Sequence, residues 1–141
     1  MRLLLDTHAL LWWLDGDAQL PDSARSAIGC IDNEVYVSAA SAWEIATKVR
    51  IGKLPGAVEV AERLGAIVAE QGFLTLPITL AHARHAGLLP GDHRDPFDRM
   101  LIAQSLLEGF ILVSNETLFD LFGVERLWSS RPITDKGQAR I

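Results

Sequence analysis

Four acidic residues stand close to the points where short apolar runs of this 141-residue chain end. They are Asp6, Glu44, Asp98 and Glu116. Asp6 and Glu116 follow apolar runs of strand length, Glu44 lies shortly after a third run, and Asp98 lies at a helix start. In a parallel α/β sheet, the residues that follow the strands gather at one edge, where ligands bind. We therefore expect these carboxylates to converge.

Several carboxylates at one edge define a particular chemistry. Two of them about 5 Å apart repel by roughly 3 kcal/mol at an effective dielectric of about 20. A group of three or four must therefore hold protons or bind a hard cation. Because the ligands are all oxygen atoms, the pattern favours Mg²⁺, with Mn²⁺ as a substitute, over zinc. Such an ion lowers the pKa of bound water and neutralises charge on a phosphate, so the pattern predicts a metal-dependent phosphodiesterase.

Each acid also has a purely structural interpretation. Asp6 is placed to cap the helix that follows it, and the Ser-x-x-Glu spacing at Glu44 matches a capping box. Asp95 precedes a proline that suits the first helical position, with Asp98 in the first turn. The combination favours a site. The helix predicted over 96–108 is apolar around most of its circumference, which predicts burial on nearly every side and brings Asp98 close to the interior.

An alternation of strands and helices must position these residues. Strands are predicted at 2–5, 34–37, 73–76 and 110–113, with an edge strand at 125–128. Helices are predicted at 8–14, 21–31 (with Pro21 in its first turn), 38–51, 57–70, 79–86, 96–108 and 115–122, and a polar loop at 89–95. Strands separated by helices predict an α/β fold, a three-layer α/β/α sandwich around a mostly parallel sheet of four to five strands. We expect one domain over 1–128 and a loosely held polar tail over 129–141.

Composition limits the class of protein. Hydrophobic residues make up 49% of the chain, enough for the core of one domain. The single cysteine, Cys30, excludes an intramolecular disulfide and a cysteine-based metal cage. The longest uninterrupted apolar stretch, 9–14, is too short to span a membrane, so we expect a cytoplasmic protein. The net charge of −5 argues against a protein that simply coats RNA.

Four sequence segments together resemble a known family. They read LLLDTHALLW at 3–12, SAASAWEI at 38–45, HRDPFDRMLIAQ at 93–104 and LVSNE at 112–116. In this order they are similar to the PIN-domain ribonucleases, and in particular to the VapC toxins of bacterial and archaeal toxin–antitoxin pairs. The resemblance runs from Arg2 to about Trp128, and the segment around Asp98 is its most specific part.

The resemblance implies a function and a set of site residues. It implies a Mg²⁺-dependent endoribonuclease in which Asp6, Glu44 and Asp98 hold the metal, and metal-activated water cleaves RNA to 5′-phosphate and 3′-hydroxyl ends. A fourth acid, usually Asp in a Thr-x-Asp context, corresponds here to Glu116 after Ser114 and an asparagine. Glu is one methylene longer, so Glu116 ranks below the other three. Thr7 and Ser114 correspond to hydroxyls that orient a carboxylate or a metal-bound water.

Other polar residues near these motifs have two interpretations each. Arg99 and Asp95 flank Asp98; Arg99 either balances the acids or holds the scissile phosphate, or it is an ordinary surface arginine. His93 and Arg94 either contact RNA or are solvated loop residues. A basic cluster at the end of the helix over 38–51 either contacts the RNA backbone or suits a helix C-terminus; it comprises Lys48, Arg50 and Lys53. The spacing of His82 and His85 is only a weak zinc signal.

The resemblance also implies partners. They are a tRNA or rRNA substrate and a cognate VapB-type antitoxin, whose C-terminal segment lies across the toxin and blocks its site. A homodimer or a hetero-oligomer with the antitoxin is expected, and no membrane. Trp12 and Trp13 are adjacent on a predicted helix and cannot face the same way, so we expect one of them to be exposed or in an interface.

Two other functions compete with the nuclease. A haloacid-dehalogenase-like phosphatase also has an Asp after its first strand, but it needs a second Asp two residues later, where this chain has His8. A non-catalytic PIN module that binds RNA or a protein partner is favoured only by Glu116 in place of Asp. Trapped phosphate on Asp6 would identify the phosphatase, and a function that survives loss of Asp6 would identify the binding module.

Overall fold

A computed structural model describes residues 1–129 of the chain. At its centre is a five-stranded sheet in which every strand is parallel to its neighbours. The strands are β1 (Arg2–Leu5), β2 (Glu34–Ser38), β3 (Leu74–Leu76), β4 (Ile111–Val113) and β5 (Arg126–Leu127). Their order is β3-β2-β1-β4-β5, so β1 is central. The predicted α/β fold with its parallel sheet is confirmed.

The helices connect the strands as crossovers. They are α1 (Thr7–Asp15), α2 (Asp22–Gly29), α3 (Ala39–Arg50), α4 (Val58–Glu70), α5 (Leu80–Leu88) and α6 (Pro96–Glu108). Two short 3-10 helices, Pro55–Ala57 and Thr117–Phe122, complete the described part. The second was predicted as a helix over 115–122. Pro21 was predicted inside the first turn of α2 but is its N-cap. The tail predicted over 129–141 lies outside the described residues, apart from Ser129.

Two apolar layers cover the sheet, one on each face. Leu3 and Leu5 belong to one buried cluster with residues of α1, α2, α3 and α4. Leu4, between them, belongs to a second cluster with Leu101 and Ile102 of α6. Successive side chains of a strand point to opposite faces, so a strand covered on both sides must be apolar throughout. This is why the run at 3–5 reads as continuous leucine, and it produces the predicted three layers.

The burial of α6 differs from the prediction of a helix enclosed on nearly every side. Residues Leu101, Ile102 and Ala103 are buried, but Leu106 is 39% and Leu107 is 46% exposed. The prediction was wrong for the C-terminal turns, because only one face of α6 packs on the sheet and the preceding helix. The N-terminal turn, which carries Asp98, is half-buried, so the expected position of that carboxylate still holds.

The tryptophans also differ from the expectation. Trp12 and Trp13 are both half-buried, since Trp12 packs against Trp128 and Trp13 packs against Phe73. The exposed tryptophan is Trp43, with 54% of its surface accessible. Adjacent residues on α1 thus find separate apolar neighbours on either side of the helix. None of the described helices is long and apolar enough to cross a membrane.

Candidate active site

A polar cavity of about 140 Å³ lies at the sheet edge where β1 and β4 end. We call it the acidic cavity. The residues that line it are Asp6, Thr7, His8, Glu44, Lys48, Asp95, Asp98, Asn115 and Glu116. Five of these nine residues carry carboxylates, and Lys48 contributes a positively charged ammonium group. The four carboxylates predicted to converge therefore do line one cavity, although they come from four distant segments.

Asp6 both begins α1 and lines the acidic cavity. Its Oδ1 atom accepts a hydrogen bond of 2.7 Å from the backbone N–H of Ala9, which is a helix cap. The residue is only 8% exposed. Burial raises the pKa of Asp6 from 3.8 to about 6, although hydrogen bonds from Ser114 and Ala9 oppose this and the charge of Asp98 adds to it. The capping and site interpretations are thus compatible, because one carboxylate caps α1 and also lines the cavity.

Glu44 is buried within α3 and is held by two side chains. The Thr7 hydroxyl donates to Oε1 over 2.6 Å, and the Lys48 ammonium contacts Oε2 over 2.5 Å, one helical turn later. Burial alone would lower the pKa of Lys48, but the contact with Glu44 outweighs it and the pKa is raised. Thr7 therefore orients a carboxylate, as the resemblance implies. The N-cap of α3 is Ser38, so the capping-box interpretation of Glu44 does not hold.

Asp98 lies in the first turn of α6, where Asp95 is the N-cap. Asp95 accepts hydrogen bonds from the backbone N–H groups of Phe97 and Asp98. The carboxylate of Asp98 contacts Nε2 of His93 over 2.9 Å. Burial raises the pKa of Asp98; the contact with His93 opposes this, and the charges of Asp95 and Glu44 add to it. The fixed φ of proline at the start of α6 places both acids at the same helix end.

Glu116 stands at the side of the cavity supplied by β4. Its side chain accepts a hydrogen bond of 3.0 Å from the backbone N–H of Leu118, and it caps the short helix Thr117–Phe122. Ser114 is fully buried; its hydroxyl accepts from the backbone N–H of Glu116 and forms the hydrogen bond to Asp6. Ser114 thus connects Glu116, which follows β4, with Asp6, which follows β1, as expected of a hydroxyl that orients a carboxylate.

Arg99 matches neither the predicted role at the acidic site nor the predicted position on the surface. Its guanidinium donates to the backbone carbonyls of Ala86 (3.0 Å), Leu89 (2.5 Å) and His93 (3.0 Å). It is half-buried and is not among the residues that line the acidic cavity. Arg99 is therefore a clamp on the loop between α5 and α6, and it acts on the site by holding the backbone of His93.

The remaining predictions concern His82 and the basic cluster. His82 is buried, with Nδ1 accepting from the backbone N–H of Thr79 and Nε2 contacting Glu108, so its surroundings account for it without zinc. Of the basic cluster, only Lys48 lines the acidic cavity; Lys53 lines the neighbouring one. His93 was predicted in the loop next to the site, as an RNA contact or a solvated residue, but its contact with Asp98 was not predicted. The position of His8 on the wall of the acidic cavity was not predicted either. His8 could have been found from its position two residues after Asp6, in the first turn of α1.

The fit of a divalent ion can be judged from the cavity itself. Among the described residues, no three His, Cys, Asp or Glu side chains are arranged to hold a metal ion. The reason is local: Glu44 is turned to Thr7 and Lys48, and Asp98 to His93. The donors are nevertheless all carboxylate oxygens. The charge of Asp98 raises the pKa of Asp6, and the charges of Asp95 and Glu44 raise the pKa of Asp98, so these groups repel one another. A hard cation suits that set if Oε2 of Glu44 leaves Lys48, while Oε1 keeps the Thr7 hydroxyl and Asp98 keeps His93.

Comparison with known proteins gives a family and a fold. The sequence matches the family described as PIN domain over residues 3–124. No match was found among the curated proteins. The phosphatase alternative, which rested on Asp6 alone, receives no support from the match.

Solved structures similar to the chain include three that are bound to DNA. VapBC2 from Rickettsia felis, bound to a DNA fragment from its promoter, has 15% identity and a TM-score of 0.63, covering 91% of this chain and 99% of that one. FitAB bound to an IR36 DNA fragment has 16% identity and a TM-score of 0.64, covering 89% and 93%. DNA-bound VapBC from Salmonella typhimurium has 16% identity and a TM-score of 0.62, covering 90% and 97%. At these identities the likeness concerns the fold.

Proposed function

The chain belongs to the PIN domain family, and from this premise we propose that it is a Mg²⁺-dependent endoribonuclease, the toxin of a VapBC-type toxin–antitoxin pair. The observation that carries the proposal is the acidic cavity, where carboxylates from four segments line about 140 Å³. A purely structural set of caps would not need to gather at one cavity. Burial of that much negative charge is unfavourable unless a cation or a proton compensates it.

The proposed metal ligands are Asp6, Glu44 and Asp98, with Glu116 as a further acid on the same wall. Mg²⁺, or Mn²⁺ in its place, would supply an acidified water and neutralise charge on the phosphate. Thr7 keeps Glu44 in place through its hydroxyl, and Ser114 does the same for Asp6. His93 and Asp95 position Asp98.

Lys48 has two proposed states. Without bound ligands, its ammonium neutralises Glu44 over 2.5 Å. If Glu44 held a metal ion instead, the ammonium would be free at the cavity wall to contact the RNA phosphate. The proposed substrate is tRNA or rRNA in the cytoplasm, and the expected products carry 5′-phosphate and 3′-hydroxyl ends.

We also propose a VapB-type antitoxin as the partner of this chain. Support comes from the similar structures, which include two DNA-bound structures named as VapBC2 and VapBC. It also comes from an open apolar cavity of about 670 Å³ that reaches His93 and includes the exposed Leu121. Production of the chain alone should arrest growth, and co-production of the antitoxin should restore growth and yield a stable complex, as a homodimer or hetero-oligomer.

The experiment that tests the proposed activity is cleavage of purified tRNA and rRNA by the whole chain. We expect cleavage in Mg²⁺, none in EDTA, and loss of activity by at least about 100-fold in Asp6→Asn, whose amide retains the cap but not the charge. Asp22→Asn, on the exposed start of α2, is the matched control. Intact RNA with a folded protein that binds it would instead favour the non-catalytic PIN module.

A further inference from the structure

A second cavity adjoins the acidic cavity and shares His8 with it. It has a volume of about 220 Å³ and lies between α1 and the segment 53–60. We call it the side cavity. The residues of its wall that matter here are His8, Trp12, Asp15, Asp17, Lys53 and Pro55. None of them is a proposed metal ligand.

Two aromatic rings, those of His8 and Trp12, line the side cavity, and His8 also lines the acidic cavity. The centroids of His8 and Trp12 are 5.5 Å apart, with the ring planes tilted by 40°. Trp12 is half-buried and packs against Trp128 and the buried core, with the two ring centroids 5.8 Å apart, so its position is fixed. Rings, together with the apolar surface of Pro55, make a wall on which a flat, uncharged group can stack.

The charges of the side cavity select a base over a phosphate. Asp15 and Asp17 contribute two negative charges, and Lys53 contributes one positive charge. A second phosphate would be repelled by this net charge. A nucleobase is neutral, and its edge can bond to carboxylates or to an ammonium while its face stacks on an aromatic ring.

We propose that the side cavity binds the unpaired base of the nucleotide next to the scissile phosphate. The proposal rests on the proposed nuclease function, because it takes the acidic cavity as the place of the phosphate. Since His8 lines both cavities, a phosphate in one and its own base in the other need only the span of a single nucleotide. A base can enter only when it is unstacked, so the substrate is a single-stranded loop or end of an RNA.

The test combines a modified RNA with variants of the side cavity. A single-stranded oligonucleotide carrying one cleavage site is prepared with one abasic nucleotide at each position in turn. Cleavage rates are measured with excess enzyme, and binding is measured separately by fluorescence anisotropy with Asp6→Asn in EDTA. Each variant is made in the wild-type chain for cleavage and in Asp6→Asn for binding. The variants are Trp12→Leu, Trp12→Phe and Lys53→Ala. The matched controls are Trp43→Leu, at an exposed tryptophan that contacts Phe97 instead, and Arg84→Ala on α5.

The expected result is specific to one nucleotide. An abasic residue beside the scissile phosphate should weaken binding about 5- to 150-fold, the range for a base stacked on an aromatic ring, and abasic residues elsewhere should have much smaller effects. Trp12→Leu should bind normal RNA as weakly as wild type binds that abasic RNA, with no further loss on combining the two. Trp12→Phe should restore most of the affinity, Lys53→Ala should weaken binding, and both controls should bind as the parent does.

The outcomes separate this proposal from the nuclease proposal. Cleavage with a flat abasic scan, or with undiminished binding by both Trp12→Leu and Lys53→Ala, would overturn the base site and leave the nuclease intact. Binding that depends on Trp12 and on one base, without any cleavage, would support the base site and contradict the nuclease. Absence of both binding and cleavage in folded protein would overturn both. Lys53→Ala, at an exposed position, keeps the test valid if Trp12→Leu fails to fold.

Discussion

The carboxyl group of Asp6 is the clearest case of a residue whose position costs stability. It is almost fully buried, next to other acids, and its pKa is raised from 3.8 to about 6. A group whose pKa is higher in the folded state than in the unfolded state binds its proton more tightly when folded. The protonated carboxyl group of Asp6 therefore contributes to stability below pH 4, and this contribution is lost as the pH rises through 6.

We predict that Asp6→Asn stabilises the metal-free protein at neutral pH. The amide keeps the oxygen that accepts from Ala9 and removes the buried charge. A shift from 3.8 to about 6 corresponds to about 2–3 kcal/mol. Urea unfolding in EDTA should show the gain above pH 6 and little of it at pH 4. Asp22→Asn, which is exposed, should show no such trend. Equal stability of wild type and Asp6→Asn at pH 7 would contradict the argument.

The hydroxyl of Thr7, which donates to Glu44, leads to a second prediction. The valine side chain of Thr7→Val has nearly the same shape as threonine but lacks the hydroxyl. It therefore cannot make the 2.6 Å hydrogen bond that Thr7 donates to Glu44. We expect Mg²⁺ affinity, measured by calorimetry, to fall about 10- to 100-fold, as is usual when a ligand loses its orienting partner. Thr7→Ser retains the hydroxyl and should stay close to wild type. Unchanged affinity in Thr7→Val would show that Glu44 does not need this bond.

At the scale of elements, the loop between α5 and α6 depends on one side chain. Arg99 donates to carbonyls on both sides of that loop, from Ala86 to His93, and His93 in turn contacts Asp98. A single guanidinium can satisfy three acceptors because its donors are arranged in a rigid plane, which the ammonium of lysine lacks. The loop is thus held as a unit against the start of α6.

We predict that Arg99→Met lowers the free energy of unfolding by roughly 2–4 kcal/mol, since carbonyls in the protein interior lose a charged donor. Hydrogen exchange should increase over 89–95 more than elsewhere. Cleavage should fall together with this loosening, because His93 loses its fixed backbone. Arg84→Met on the exposed face of α5 is the control. Full stability with abolished cleavage would contradict the clamp and restore the interpretation of Arg99 as a phosphate ligand.

The order of elements was predictable from the sequence, whereas several contacts were not. Strands buried on both faces are continuous apolar runs, so β1 and β4 are readable without a structure. The convergence of Asp6, Glu44 and Asp98 follows from that order. The contact between Lys48 and Glu44 follows from their i, i+4 spacing on one helix. The contact between His93 and Asp98 does not follow from the sequence, because the acid that a loop side chain contacts depends on distances of a few ångströms. Equally, periodicity could not show that the last turns of α6 are open to solvent.

At the scale of the whole molecule, the net charge of −5 makes the protein sensitive to cations. We predict that Mg²⁺ raises the melting temperature of the wild type by several degrees, since a ligand at a hundred times its Kd adds about 2.7 kcal/mol to stability. Asp6→Asn and Glu44→Gln should lose most of this increase. Sodium chloride at equal ionic strength corrects for screening of the overall charge. A Mg²⁺ effect that NaCl reproduces would place the ion on the general surface.

The fold, the acidic cavity and the family together support one central claim: the carboxylates at the sheet edge make a metal-dependent site for cutting RNA. The most direct measurement is the rate of RNA cleavage against Mg²⁺ concentration for wild type, Glu44→Gln, Asp98→Asn and the surface control Glu62→Gln. We predict a rate that saturates with Mg²⁺ in wild type and control, and is lost in both cavity variants. Cleavage that persists in EDTA, or that Glu44→Gln and Asp98→Asn leave unchanged, would contradict the claim.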